Sequence, residues 1–309
     1  MIERSDIEAA HSRIRDHVRR TPVMALEPGA FGLAAALTLK LELFQHTGSF
    51  KPRGAFNTLL STETGEAGVV AASGGNHGAA VAFAAEALGC PAHIYVPEIS
   101  SPVKIARIES YGAKLHVGGR DYAEALERSE RFKVLAGATA VHAYDQETTL
   151  AGQGTVGLEW EAQAPDLDTL LVAVGGGGLL GGIAAWYRER VKIVAVEPET
   201  SCALKAALDA GEPVEVEVAG VAADSLGARS VGSLMFPLAQ DFVDEALTLP
   251  DDAIVAAQRR LWETLRIVAE PGGATALAAL LSSAYVPKTD EKVGVLVCGG
   301  NADLSVFDR

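Results

Sequence analysis

The chain has 309 residues, enough for about two ordinary domains, and its 49% hydrophobic and 21% charged content is that of a globular protein with a large core. A formal charge of -14 argues against nucleic acid or an anionic membrane as partner, because both call for a basic surface. Three scattered cysteines without a CxxC spacing argue against a zinc framework and for a reducing, cytoplasmic setting.

The N-terminal stretch MIERSDIEAAHSRIRDHVRR is too charged for a secretory signal. It predicts an amphipathic helix with Ser5 and Glu8 as a capping box, Ile7, Ile14 and Val18 near one face, and Thr21-Pro22 as its stop. HTGSFKPRGAFN (46–57) follows, with Lys51 just ahead of a helix. GVVAAS (68–73) predicts a strand, and Asn76 to Leu88 a helix closed by Gly89. Next come a strand AHIYVP (92–97), a helix from Val103 to Tyr111 and a strand AKLHVG (113–118). A charged helix from Tyr122 to Leu135 leads to VHAY (141–144), read as a strand. Residues 145–168, mostly polar, break the rhythm, as do the weakly periodic residues 211–252. TLLVAV (169–174), KIVAVEP (192–198) and KVGVLVCGG (292–300) are further strands. Near-continuous apolar strands alternating with helices imply parallel sheets covered on both faces. Two α/β units are expected, with a site between them at the carboxyl ends of strands.

The run TLLVAVGGGGLLGGIAAWY (169–187) is uncharged and long enough to span a bilayer. Its six glycines suit a span poorly, since each costs about 1 kcal/mol relative to alanine in a helix. Strand, glycine loop and helix is the better parse, and that turn is a phosphate cradle. A tight packing turn is the plain alternative. Gly176, Gly178 and Gly181 match GxGxxG, and Glu197 stands where a ribose-binding acid belongs, so a nicotinamide dinucleotide is one candidate phosphate. No Lys-Ser/Thr follows, which removes a P-loop.

ASGGNHGAA (72–80) offers a second cradle, sized for a carboxylate, with Ser73, the amides of Gly74 and Gly75, and Asn76. His77 reads as a helix N-terminal residue with a packing or hydrogen-bonding role. A single lysine is ordinarily a surface residue. A lysine, a phosphate cradle and a carboxylate cradle together suggest an aldehyde cofactor held as a Schiff base and an amino acid substrate.

On these residues the chain resembles the serine/threonine dehydratases among the fold type II pyridoxal 5′-phosphate enzymes, over nearly its whole length. The shared motifs are SFKPRGA (49–55), SGGNHG (73–78), GGGGL (175–179), VEPE (196–199), EPGGA (270–274) and CGGN (298–301). The resemblance implies an α/β fold of two open, twisted, mostly parallel sheets with flanking helices. It implies a small domain over 46–145, a large cofactor-binding domain over 1–45 and 146–309, and an active site between them. Lys51 would be bonded to the cofactor aldehyde, Phe50 would lie beside its ring, and Asn76 would bond its 3′ oxygen. Gly175, Gly176, Gly177, Gly178 and Leu179 would hold the phosphate through main-chain amides. Ser73, Gly75, Asn76 and His77 would hold the substrate carboxylate. Cys298 would face the pyridine nitrogen, and Glu270 would stand near the cofactor. A thiol with a pKa of about 8.5 is neutral at pH 7 and makes the ring a weaker electron sink. That favours expulsion of a β-leaving group over transamination.

The implied reaction is dehydration of L-serine or L-threonine to a 2-oxo acid and ammonia. Lys51 would take the α-proton, and the cofactor phosphate would protonate the departing hydroxyl. Serine racemase and threo-3-hydroxyaspartate ammonia-lyase are alternatives on the same fold; a nicotinamide-dependent oxidoreductase is the alternative from another class. Racemases of this fold have a second serine where this chain has Gly74, which argues against racemisation. Some relatives bind a divalent cation through an acid at the Glu197 position and an Asp six residues on; here that residue is Ala203, and Glu199 is the one substitute. No divalent or monovalent cation is therefore assigned. The chain ends at Arg309, soon after CGGN, so no C-terminal regulatory domain and no isoleucine feedback through one are expected. The family implies a homodimer acting on a small amino acid.

Overall fold

The computed structural model describes every residue except 99, 101, 121 and 305–309, so the last five residues given to the large domain lie outside the described residues. Helix α1 (Arg4–Ile14) begins behind Glu3, whose N–H is accepted by the Asp6 carboxylate at 2.8 Å. Ser5 already lies inside the helix, so the cap falls two residues ahead of the expected Ser5–Glu8 box. Ile7 and Ile14 are buried as expected. The helix stops at Ile14, short of Thr21-Pro22, and a turn follows in which the His17 and Val18 N–H groups share the Ile14 carbonyl.

Two strands that apolar patterning does not mark follow, β1 (Val23–Leu26) and β2 (Leu37–Leu41). Lys40 hides the second, since its ammonium is fully buried against acidic partners. Helix α2 (Pro52–Ser61) opens on a proline that needs no N–H partner. The expected alternation then holds through β3 (Val69–Ala72), α3 (Asn76–Leu88), β4 (Ala92–Val96), α4 (Pro102–Glu109), β5 (Lys114–Val117) and α5 (Tyr122–Ala136).

The next strand, β6, is Thr139–Ala140 and not VHAY. Val141 still donates its N–H to the Val70 carbonyl of β3, but the ladder ends there because the carbonyls of the next stretch have other partners: the His77 ring bonds Val141, and Lys51 bonds Ala143. The polar stretch after it contains α6 (Glu147–Gln163), a buried 17-residue helix. Gln153, Thr155 and Glu159 point into the protein there, which masks the apolar period. Then come β7 (Thr169–Ala173), α7 (Gly178–Tyr187), β8 (Lys192–Pro198) and α8 (Ala203–Ala210). The weakly periodic region holds α9 (Ala223–Leu226), α10 (Phe236–Phe242) and β9 (Glu245–Leu249). Helices α11 (Asp251–Leu265) and α12 (Pro271–Leu281) precede β10 (Val293–Val297).

Among the described residues the strands form two sheets, in the orders β1-β2-β10-β7-β8-β9 and β5-β4-β3-β6. Every pairing is parallel except β1 with β2, as crossover helices between strands require. Leu170 and Val172 pack with Trp160 and Ile183 on one face of the larger sheet; Leu171 and Val194 pack with Ile254 and Leu277 on the other. The smaller sheet likewise buries Ile94 against Val81 and Tyr95 against Phe132. Both are mostly parallel sheets flanked by helices. Among the described residues no helix is long and apolar enough to cross a membrane, α7 included.

Candidate active site

The carboxyl ends of β3, β7 and β10 meet. Phe50, Lys51, Asn76, Gly175 to Leu179, Glu270 and Cys298 line one cavity there. Ser73 and Gly75 belong to the turn from β3 into α3, and Asn76 and His77 are the first two residues of α3. Tyr144, Ser225 and Leu226 line the same cavity and were missed. Tyr144 stands in VHAY, whose composition reads as a strand, and Ser225 and Leu226 stand in the short helix α9, within a stretch that has no clear periodicity.

Lys51 sits directly before α2, and its Nζ donates to the Ala143 carbonyl at 2.9 Å. Burial pulls its pKa down to about 8, an effect that the nearby Cys298 and Glu270 partly offset. Its main chain is anchored two residues on, by Arg53. That guanidinium grips Glu42 with two bonds of 2.8 and 2.7 Å and reaches Glu159 at 3.2 Å. Lys40 completes the cluster on Glu159 at 2.5 Å. Two cations and two anions share this buried space, so every charge has a partner and the sum is zero.

The glycine run forms a cup at the start of α7. A Cβ on Gly176 would lie 2.3 Å from the Tyr144 ring, so only glycine fits there. The first amides of α7 have no intrahelical acceptor and face outward from the positive end of the helix. Gly181 lies deeper, where a Cβ would come within 2.7 Å of Met235 Cβ; it is a packing residue. Glu197 is buried, and its two oxygens accept the N–H groups of Leu204 and Lys205, each at 2.8 Å. It caps α8 and is not presented to a ribose, which removes the second half of the dinucleotide pattern. Among the described residues no group of three His, Cys, Asp or Glu side chains is placed to hold a metal ion.

Asn76 Nδ2 donates to Glu270 Oε1 at 2.7 Å. Burial raises the Glu270 pKa to about 7, against the pull of Asn76 and of nearby cations. His77 Nε2 is 2.8 Å from the Val141 carbonyl, which can only accept, so this nitrogen carries the proton. Burial and the neighbouring Lys51 push the His77 pKa down to about 3, leaving the ring neutral. The side chain thus supports the segment that ends at Lys51's acceptor. Cys298 donates its thiol to the Gly272 carbonyl at 3.4 Å, and burial pushes its pKa far above the usual thiol range. It is neutral in this site.

A family model described as "Pyridoxal-phosphate dependent enzyme" matches residues 14–299. An L-threonine ammonia-lyase of Thermotoga maritima is 36% identical over 314 residues, covering 100% of this chain and 78% of the relative. A phenylserine dehydratase of Ralstonia pickettii is 35% identical, covering 99% of this chain and 95% of its own. The solved structure of maize serine racemase superposes with a TM-score of 0.93 at 35% identity, covering 99% of this chain and 95% of that one.

Proposed function

The chain belongs to the family of pyridoxal-phosphate dependent enzymes, and from that premise we propose that it is an ammonia-lyase that dehydrates L-serine or L-threonine. The products are a 2-oxo acid and ammonia: pyruvate from serine, 2-oxobutanoate from threonine. One observation carries the reading: a half-buried lysine with a lowered pKa opens into the same cavity as a glycine cup at a helix N-terminus.

The residues present suit the cofactor. The cup has no side chain in the way, and its amides are matched to a phosphate. When bound, pyridoxal phosphate supplies an aldehyde for the substrate amine and a ring that draws electrons from the α-carbon. Gly175 to Leu179 would hold the phosphate, Phe50 and Asn76 the ring, and Lys51 the aldehyde. Cys298 would meet the ring nitrogen as a neutral thiol, with no charge to keep a proton there. The amides at the start of α3, with Ser73 and Gly75, would bind the substrate carboxylate. Lys51 Nζ then removes the α-proton, and its pKa of about 8 leaves a usable neutral fraction at neutral pH. Leu179 and Leu226 line the cavity as buried apolar residues.

The likeness to maize serine racemase favours racemisation as the second reading. Gly74 offers no side-chain base, however, and the Ser100 hydroxyl lies 2.8 Å from where a Cβ of residue 74 would stand. As part of the same reading, residues 46–145 form the small domain and 1–45 with 146–309 the large one, a division supported by the two sheets. The enzyme works in the cytoplasm as a homodimer. The test is ammonia release from L-serine, L-threonine and threo-3-hydroxyaspartate by protein with a visible band that borohydride abolishes. Exchange of the serine α-proton without ammonia release would support the racemase reading instead, and a protein that stays colourless with added pyridoxal phosphate would refute both.

A further inference from the structure

Asn301 closes the CGGN motif and plays no part in the reading above. Its Nδ2 donates to the Thr47 carbonyl at 2.9 Å and to Asn76 Oδ1 at 2.6 Å. Asn76 Nδ2 in turn donates to Glu270 Oε1 at 2.7 Å. The direction of this relay is set at its far end. A carbonyl only accepts, so Asn301 must turn its nitrogen toward Thr47. That nitrogen only donates, so Asn76 must turn its oxygen toward Asn301. The Asn76 nitrogen is left on the Glu270 side, with its second N–H available to a group in the cavity.

The far end is itself held firmly. Thr47 has a left-handed φ of 58°, and its carbonyl also accepts from Arg107 Nη2. The Gly300 N–H donates to the Gly48 carbonyl at 2.9 Å, and Ser49 bridges Gly299. A Cβ on Gly48 would lie 2.5 Å from Asn301 Oδ1, so the amide is confined between the two segments. The relay therefore runs from a rigid turn before Lys51, through the end of the CGGN motif, to the first residue of α3.

We propose that Asn301 is a positioning residue, which orients the Asn76 amide so that it offers an N–H rather than an oxygen to the cofactor. The inference rests on the cofactor reading above. A donor at Asn76 stabilises an ionised oxygen on the cofactor ring, so the visible band reports which way the amide points.

The test is a cofactor titration of Asn301→Asp, which keeps the side-chain shape and can only accept. Asn76 then reverses to donate to residue 301 and turns its oxygen to the cleft. We expect a shifted visible band and about tenfold weaker cofactor binding, the loss of about one hydrogen bond, with the cofactor-free protein still folded by circular dichroism. If Asn301→Asp does not fold, Asn301→Ala, which leaves Asn76 free to turn, carries the test with the same band shift and a smaller loss of affinity. In an Asn76→Ala background the Asn301 change should add nothing to either reading. A wild-type band and affinity in the folded variant, or an Asn301 effect that persists without Asn76, overturns the proposal. Absence of any band in the unsubstituted protein is the separate outcome that removes the cofactor reading itself.

Discussion

Lys51 Nζ donates to the main-chain carbonyl of Ala143 at 2.9 Å, across 92 positions of sequence. The bond ties the residue that opens α2 to the segment that leaves β6. It keeps the amine inside the cavity, where burial lowers its pKa to about 8. A neutral amine is then present at a pH where an ordinary lysine, with a pKa of about 10.4, is still charged.

The pH dependence follows from that shift. In cofactor-free protein the rate at which the visible band forms after adding pyridoxal phosphate should rise with pH and level off above about 8. Stopped-flow absorbance measures it; a rate that keeps climbing to the ordinary lysine range would contradict the buried-amine argument. The folded pKa lies below the unfolded one, so the unfolded chain holds the Lys51 proton between about 8 and about 10.4 while the folded chain does not. Stability from this group therefore rises with pH through that window. Lys51→Ala should remove both effects, leave no borohydride-reducible band, and lower ammonia release by at least about 10²-fold.

Gly176→Ala places a methyl 2.3 Å from the Tyr144 ring. The expected loss is about 1–3 kcal/mol of stability, as for overpacking elsewhere, with weaker cofactor binding. Tyr144→Ala in the same chain should recover the stability, whereas Tyr144→Phe, which keeps the ring, should not. Urea denaturation of the cofactor-free variants separates the two.

Arg53 neutralises Glu42 and Glu159, both of which are buried. Arg53→Ala should destabilise the protein by about 3–5 kcal/mol, because it strands buried negative charge. Arg53→Lys should recover only part of this, since an ammonium cannot make the paired bonds to Glu42. Chemical denaturation at constant pH is the measurement, and an unchanged midpoint for Arg53→Ala would refute the anchoring role.

Glu197→Ala removes both acceptors at the start of α8. A loss of about 1–2 kcal/mol is expected, the worth of a helix cap. Cofactor affinity and catalytic rate should stay as they are. A large fall in affinity with intact stability would instead mean that Glu197 serves a ligand.

Much of the architecture was legible because its carriers are local. Alternation of apolar runs and helices placed β3, α3, β4, β5, β7 and β8 within a residue or two. What failed did so where polar side chains face inward. Lys40 disguised β2, and Thr155 and Glu159 disguised α6, because their charged partners come from distant segments. VHAY has strand composition, yet the His77 ring and the Lys51 ammonium claim two of its carbonyls.

By itself the sequence determined the parallel α/β class, the lysine and the glycine run, since each is written in a short contiguous motif whose chemistry survives any arrangement of the rest. Only the tertiary structure decided what those motifs do to one another. Lys51's lowered pKa depends on burial made by segments brought together from far apart in the chain. Glu197, a ribose ligand by its spacing, became a helix cap because α8 starts beside it. The Asn76 amide acquires a direction only through Asn301, 225 positions away. Hydrogen bonds and desolvation act over a few ångströms, so they are set by which residues meet in space, and spacing along the chain does not record that.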